Sequence, residues 1–436
     1  MKKIFVLACF ALILVPYAAV AELYPEPRFV EFGTGVGFGA DQNLFSLEDI
    51  FKETITLDFA KIYDRMERSN SAGMIMDAEF NPQFSFKLNF PVFSAGLIVD
   101  MQTSTRFTVG KDLFYFLGYG NPGGSDISVT LKPGLQSFIV ASTPVKLKFG
   151  RMRVKVSPTF FAPMAYIPYS TASLKATVSQ NDGVYSISAK SESLDFYTLV
   201  DVGAFMDSER LAEMVSNPML FVSDIGQGIG KSLGFNLSAE VELPILRTFD
   251  AGAYITLPIV PGRLKYKSSV WVDYSIEDIS LQNIMNSSDS EDGSGISFTM
   301  PEMGTHYGFS GFSPTSYSIN MPFRLGVEGA WRPFGKWCTF RPIVGMAANN
   351  PFGKDFRWKE SVYFEYGLVA ELKILYVLNL SFSHRYMEQV YMNRIGLAFN
   401  FRLMELDVAL ATASPSFVSS WSLSGVNAMV GIKIGF

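Results

Sequence analysis

Apolar and polar residues alternate along most of this chain. From Met74 to Phe90, the even positions are all apolar, and every odd position except Ile75 is polar or charged. The same alternation recurs over residues 93–101, 235–243 and 391–402. A period of two is that of a β-strand with one apolar and one polar face. The pattern therefore predicts long strands that separate an apolar medium from a polar one.

The last residues follow the same pattern and end on an aromatic side chain. The apolar positions, Ala428 and the four that follow it, alternate with Met429, glycines and Lys433. A final strand of this kind resembles the C-terminal signal read by the outer-membrane barrel assembly machinery. We expect that assembly signal to consist of Val430, Ile432, Ile434 and Phe436.

The first 21 residues have the organisation of a secretory signal. Lys2 and Lys3 precede an apolar stretch that ends before Pro16, and residues 19–21 read Ala-Val-Ala. Such a segment is cleaved after its small residues, so we expect residues 1–21 to be removed and the mature chain to begin at Glu22. A lipoprotein cleaved before Cys9 is disfavoured, because too few residues separate it from the basic start.

Beyond the signal, the chain lacks any apolar run of about 18 residues, the length that a membrane helix needs. A closed β-barrel is the other structure that satisfies every backbone polar group in a bilayer. The connections between strands alternate in length, as barrel turns and loops do. Short ones fall near Pro91, Pro144, Arg247, 334–335, Lys373 and 404–405. Long ones span 41–72, 106–126, 206–231, 276–312 and 348–359.

The fold class predicted is all-β, a transmembrane antiparallel β-barrel of about 14 strands with an N-terminal helical hatch or plug and long extracellular loops. Counts of about 12 and 16 strands stay open. Residues 22–72 should form the first strand and a hatch-like helical segment, and residues 73–436 the barrel, as a single domain. A soluble β-sandwich with one wet face is the alternative, which the long strands and outward phenylalanines disfavour.

Composition narrows the classes of function. Charged residues make up 18% of the chain, against about 25% in soluble domains. The chain has 39 Phe but only two His and two Cys, and one of those, Cys9, lies in the signal. We therefore expect no metal site, no cofactor and no enzymatic activity, and no intramolecular disulfide. The net charge is −5 and the sequence has no run of basic residues, so it does not predict a nucleic-acid-binding surface.

Motifs of soluble chemistry match poorly. The glycine pattern at 118–123 follows a predicted helix rather than a strand and contains Pro122, which argues against a dinucleotide site. Residues 289–293 are acidic but lack the ligand spacing of a calcium loop. Ser383 and His384 are adjacent, so on a strand their side chains point to opposite faces and cannot form the nucleophile–base pair of a barrel phospholipase.

Basic residues recur on the polar phase of two predicted strands. Arg151, Arg153 and Lys155 form one such column, and Arg263 and Lys265, continued by Lys267, form another. Two interpretations are open. The columns bind an anionic head group above an apolar pocket, or they pair with carboxylates such as Glu240 and Glu242 and brace the lumen.

Several segments resemble the FadL-like outer-membrane barrels, the long-chain fatty-acid transport family of diderm bacteria. They are the early strand 29–39 with its helical insert, the stretch 110–121, the strands 324–334 and 339–346, and the barrel end. The resemblance covers nearly the whole mature chain and places it in an uncharacterised branch. It implies a barrel of about 14 strands with a hatch. The Asn-Pro-Ala stretch common in the hatch of transporting members is absent from 22–38.

The expected function is uptake of hydrophobic or amphipathic molecules, with long-chain fatty acids as one candidate substrate, across the outer membrane of a diderm bacterium. A general porin and a surface-exposed interaction barrel, or adhesin, whose loops bind an extracellular ligand are the alternatives. The expected partners are the outer-membrane lipid bilayer, the assembly machinery and the hydrophobic ligand.

Overall fold

The structure is a computed structural model of the 436-residue chain. The residues that it describes are 28–42, 58–68, 73–120, 129–150, 152–168, 174–181, 184–191, 194–201, 226–280, 304–309, 311–353, 356–374, 377–387, 390–401, 403–414, 417–421 and 425–436. The predicted signal peptide lies outside these residues, as does most of the 206–231 loop.

Fourteen antiparallel strands form a closed barrel, as the alternating pattern predicts. Two segments, β4 and β5, lie end to end and act as one wall strand. The wall consists of β1 Val30–Gln42, β2 Gly73–Asn89, β3 Phe93–Gly110, β4 Val129–Ser142, β5 Val145–Phe149, β6 Met152–Ile167, β10 Gly234–Pro244, β11 Phe249–Val260, β15 Phe323–Trp331, β16 Cys338–Ala348, β17 Val362–Ile374, β18 Leu378–Met387, β19 Val390–Phe401, β20 Met404–Ser414 and β21 Val426–Gly435.

The first and last strands close the barrel. β1 pairs with β2 on one side and with β21 on the other. At the end of this seam, the Val30 amide donates to the Phe436 carbonyl at 3.0 Å, and the Phe436 amide donates back at 3.1 Å. Every wall strand of the described barrel then has a neighbour on both sides, so none of these strands is an edge strand.

The two faces of the wall differ as the sequence predicts. Large apolar side chains such as Phe38, Phe80 and Ile434 are exposed on the outer face. The intervening positions, among them Asp77 and Lys433, point into the lumen and form ion pairs there. An apolar exterior around a polar interior is the arrangement of a barrel that spans a bilayer.

One end of the barrel carries short turns and is called the turn end below. Both ends of the described chain lie there. The turn predicted near Pro144 is misplaced, because that proline only interrupts the fourth wall strand between β4 and β5. The hairpin lies instead at Gly150, whose φ of 63° suits glycine. Proline breaks a strand because it lacks an amide hydrogen, but it need not reverse the chain.

The opposite end, the loop end, carries the long connections. Six further strands extend from it: β7 Leu174–Asn181, β8 Val184–Ser191, β9 Leu194–Thr198, β12 Gly262–Ser280, β13 Gly304–Phe309 and β14 Ser313–Ile319. β12 continues directly from the wall strand β11 and pairs with β8, β9, β13 and β14. The sequence pattern did not predict this extension.

In the described chain, four helices with complete bounds also lie at the loop end: α1 Phe59–Arg68, α2 Lys111–Tyr119, α3 Trp358–Ser361 and α4 Phe417–Trp421. Residues 226–230 are helical as well. In the described part of the chain, no helix has the length and apolar character needed to cross a membrane. α1 packs against α2, and both follow from segments predicted to be helical. Residues 43–57 of the predicted hatch lie outside the described residues, so the hatch stays a prediction.

The wall strands differ in length. β2 and β3 have 17 and 18 residues, whereas β18 and β19, on another part of the wall, have 10 and 12. β18 ends at Met387 and β19 begins at Val390, both at the loop end. The rim is therefore high along β2 and β3 and low along β18 and β19.

Candidate functional site

A cavity of about 390 Å³ lies in the loop-end half of the lumen. We call it the loop-side cavity. β2 and β3 contribute polar side chains to it, and the low rim contributes Met387, Val390 and Met392. Phe138 and Met321 add further apolar surface. The cavity is thus amphipathic, with polar groups on one side and thioethers and aliphatic groups on the other.

Charges in this cavity are arranged unevenly. Asp77, Glu79 and Asp100 line the side formed by β2 and β3. Arg106 neutralises the first of them through two hydrogen bonds of 2.8 Å, from Nε and from Nη2. Arg385 reaches the cavity from β18. An acidic side therefore shares one cavity with a guanidinium group.

A second cavity of about 410 Å³ lies in the turn-end half of the wall formed by β17 to β21, and we call it the turn-side cavity. Its lining includes Lys373, Arg394, Asp407 and Lys433. The Lys433 ammonium contacts both Asp407 and Glu405, each at 2.6 Å, so one ammonium is shared between two carboxylates. The two cavities follow each other along β18 and β19.

Arg385 and Arg394 stand between the two cavities. The Arg385 Nε is buried without a hydrogen-bond partner among the described residues. Arg394 donates through Nη2 to the Met429 sulfur at 3.2 Å, and a thioether is a weak acceptor. Within the described chain, neither guanidinium has a carboxylate within 4.0 Å. Other luminal cations do have one, namely Arg106, Arg153, Arg324, Arg332, Arg341 and Lys433.

An apolar cluster fills the lumen beside the loop-side cavity. Phe161, Leu264 and Ile319 are essentially inaccessible to solvent. The ring of Phe161 fits because Gly234 and Gly262 lack side chains, since a Cβ at Gly234 would lie 2.2 Å from the ring. Tyr197 stacks on Tyr317 at a centroid distance of 4.0 Å at the border of this cluster. The cluster narrows the lumen at the loop end.

Tyr254 lies across the middle of the lumen wall. A Cβ on either Gly326 or Gly345 would come within 2.5 Å of its hydroxyl oxygen, so the ring lies over two glycines of the neighbouring strands β15 and β16. Close by, Arg324 pairs with Glu365 at 3.6 Å, and the Glu365 side chain is 2% exposed. The centre of the lumen is therefore occupied by tightly packed polar side chains.

The structure separates the basic residues predicted as a ligand site. Arg153 and Lys155 lie in the lumen near the turn end and pair with Glu242 at 3.2 Å and Glu240 at 2.9 Å. The β6–β10 register places each partner directly opposite. These contacts are those of the bracing interpretation, and Arg151 lies outside the described residues.

The second predicted column starts at the opposite end of the barrel. Arg263 is exposed next to Leu264, which is buried in the luminal cluster, so alternation directs Arg263 and Lys265 away from that cluster. Lys267 pairs with Asp195 at 2.9 Å. The two columns therefore do not converge on one head group, and ligand binding by either stays a prediction.

His384 faces the outer wall near the low rim. Its Nδ1 lies 2.7 Å from the Asn393 Oδ1, and the Asn393 amide donates to Ser420 of α4. The Ser420 hydroxyl itself donates to the Phe417 carbonyl at 2.7 Å. Among the described residues, no serine hydroxyl contacts the imidazole. This polar group binds α4 to the wall rather than forming a nucleophile–base pair.

α1 and α2 form a compact pair at the loop end. Ile62, Met66 and Phe114 are buried between the helices and the strand ends below them. The Glu67 carboxylate pairs with the Lys111 ammonium, and that hydrogen bond lowers the pKa of Glu67 below its usual value of 4.5. The helices approach closely because Gly118 leaves room for the backbone of Ala60.

Sequence reasoning overlooked Arg385 and Arg394. The alternation assigns Arg394 to the polar phase of its strand, together with Met392 and Gly396. Neither strand carries a second basic residue next to its arginine on the polar phase, so neither arginine forms a basic column by itself. The useful signal was a pair of arginines on the polar phases of two consecutive strands, without acidic residues on the same phases.

No family model matches this sequence, and no curated protein matches it. The chain is similar in structure to the toluene transporter TbuX of Ralstonia pickettii, with 9% identity over 96% of this chain and 92% of that one and a TM-score of 0.43. The toluene transporter TodX of P. putida is 8% identical over 97% of this chain and 94% of that one, with a TM-score of 0.44. A FadL homologue of Pseudomonas aeruginosa is 6% identical over 96% of this chain and 92% of that one, with a TM-score of 0.42. The barrel assignment itself rests on the strand pairing.

Proposed function

We propose that this protein takes up hydrophobic or amphipathic molecules through its lumen across the outer membrane. The observation that carries the proposal is the amphipathic loop-side cavity of about 390 Å³ inside a closed barrel. Cavities of roughly 300–1,000 Å³ with apolar lining and a few polar groups are typical of small-molecule sites. Long-chain fatty acids are one substrate that such a cavity can hold in part.

The luminal contents favour a binding channel over an open pore. The cluster around Phe161 and Ile319 fills part of the lumen, and Tyr254 lies across its wall. A general porin instead leaves an aqueous passage. A substrate therefore has to be held by side chains as it passes, which suits a hydrophobic or amphipathic solute.

A bulky substitution inside the cavity tests this proposal. Ser104 lines the loop-side cavity, and Thr105 follows it on the outer face of the same strand. Ser104→Trp should reduce uptake of a hydrophobic tracer severalfold by filling the cavity, whereas Thr105→Trp should leave uptake unchanged. Uptake by cells that carry each variant is measured at equal amounts of folded barrel.

Mass spectrometry of lipids that purify with the protein in mild detergent gives a second measurement. Bound hydrophobic molecules should be present in the wild-type protein and Thr105→Trp and depleted in Ser104→Trp. Equal uptake by both variants, together with a large steady conductance in planar bilayers, would instead identify a porin. Binding of cells to host or matrix components that is lost when the loops are cleaved, without uptake, would identify an adhesin.

A further inference from the structure

We infer that Arg385 and Arg394 together form an anion-binding site between the two cavities. At this site, the head group of an amphipathic anion passes from the loop-side cavity to the turn-side cavity. The inference rests on the proposed uptake function. It adds the charge of the substrate and the route along which that charge moves.

The position of the two arginines is the first argument. Arg385 faces Met392 across the β18–β19 pair, and Arg394 faces Ser383. They are therefore diagonal neighbours, about 7–8 Å apart at the backbone, a distance that long side chains span. One lines the loop-side cavity and the other lines the turn-side cavity. A head group can thus move from one arginine to the other while at least one guanidinium stays within hydrogen-bonding distance.

Unused hydrogen-bonding capacity is the second argument. A guanidinium carries five N–H donors. The described residues give Arg394 a thioether as acceptor and leave the buried Nε of Arg385 without one. The two like charges also repel each other. An anion between them would supply acceptors to both and relieve that repulsion.

The surroundings orient such a ligand. Glu79 and Asp100, on the opposite side of the loop-side cavity, repel an anionic head and direct it toward β18 and β19. Met387 and Val390 lie beside Arg385 and offer apolar surface to a tail. A cationic head would be held at the acidic side instead. Only a negatively charged head is therefore drawn to Arg385 and Arg394 and toward the turn-side cavity.

Binding of ten-carbon amphiphiles to the purified full-length barrel tests the inference. Decanoate, decyl phosphate, decanol and decyltrimethylammonium share a tail and differ in the head. Wild-type protein should bind decanoate about tenfold more tightly than decanol, because hydrogen bonds to charged groups are stronger than neutral ones. Arg385→Gln with Arg394→Gln should remove that preference without changing the affinity for decanol. The relative affinity for decyl phosphate shows whether carboxylate or phosphate is the preferred head.

Two further double variants distinguish a loss of head-group binding from a general loss of barrel structure. Arg385→Lys with Arg394→Lys keeps both charges and should retain part of the preference. Lys61→Gln with Lys359→Gln removes two charges from exposed positions of α1 and α3 and should retain all of it. Heat-modifiable migration confirms folding of each variant. Failure to bind decanol as well as decanoate would contradict the proposed uptake function. Binding of decanol with no preference for decanoate, or an equal loss in the Lys61 and Lys359 variant, would overturn the proposed anion binding alone.

Discussion

Single glycines determine how large side chains fit into this lumen. Tyr254 can lie against the wall because Gly326 and Gly345 present only backbone to it. The sequence shows the alternation of these strands, but it does not show that a tyrosine one strand from Gly326 and two strands from Gly345 occupies the space above both glycines. That relation depends on register between strands, which is not local information.

Gly326→Ala should lower the stability of the barrel by about 1–3 kcal/mol, a typical cost of overpacking. Its new Cβ would lie 2.5 Å from the Tyr254 hydroxyl oxygen and 2.7 Å from the Val344 carbonyl oxygen, and the backbone cannot yield easily. Gly37→Ala is the matched control, because its nearest neighbour would be 3.8 Å away. Urea unfolding of the two variants in detergent should differ, and equal midpoints would contradict the packing described.

The luminal ion pair between Arg153 and Glu242 should act as a brace. Arg153→Gln should cost about 1 kcal/mol or less, because the arginine is 42% exposed and such pairs are weak. Arg332, 3.7 Å from Glu242, limits the loss further. Thermal unfolding measures the stability and a fatty-acid titration the affinity. Reduced affinity with unchanged stability would show instead that Arg153 binds the ligand, as the sequence allowed.

At the level of elements, local patterns predicted much of the wall. The strands β2, β10, β19 and β21 have the predicted face toward lipid, because alternation along one strand fixes the direction of its side chains. The pattern did not reveal the extension built on β12, whose partners come from distant parts of the chain. Nor did it bring Arg385 and Arg394 together, since that requires the β18–β19 register.

The contact between α1 and α2 should weaken in acid. The pKa of Glu67 is lowered by Lys111, so its contribution is complete above the usual value of 4.5 and is lost as the pH falls through the lowered value. Spin labels at Arg68→Cys and Asp112→Cys, both exposed positions, should report a constant distance near neutral pH and a broader one in strong acid. Cys338 is buried and should not react.

Glu67→Gln provides the control for this acid dependence. A glutamine cannot lose a proton, so the label distance should no longer depend on pH through this residue. If the two helices of the Glu67→Gln variant still separate in acid, the ion pair with Lys111 is not the cause.

For the whole molecule, the last residue extends the pairing that closes the barrel. Phe436 exchanges two backbone hydrogen bonds with Val30, and its side chain is 72% exposed on the outer surface. Deleting Phe436 should reduce assembly severalfold, because the seam and the proposed assembly signal are both shortened. Phe436→Tyr keeps the backbone bonds and the aromatic ring and should assemble normally.

Urea-washed outer membranes and heat-modifiable migration measure the folded fraction of each form. Wild-type levels of folded protein after the deletion would show that neither the seam bonds nor the terminal ring is needed. If Phe436→Tyr fails as badly as the deletion, the phenylalanine side chain itself is required.

The uneven rim has a consequence for how a solute first meets this protein. β3 exceeds β18 by eight residues, 18 against 10, which corresponds to roughly 20 Å along the membrane normal for tilted strands. One flank of the barrel wall is therefore taller than the other. If the protein takes up amphiphiles as proposed, we expect a molecule dissolved in the outer leaflet to enter over the shorter flank, beside Met387 and Arg385, by partitioning from the membrane rather than by crossing open water.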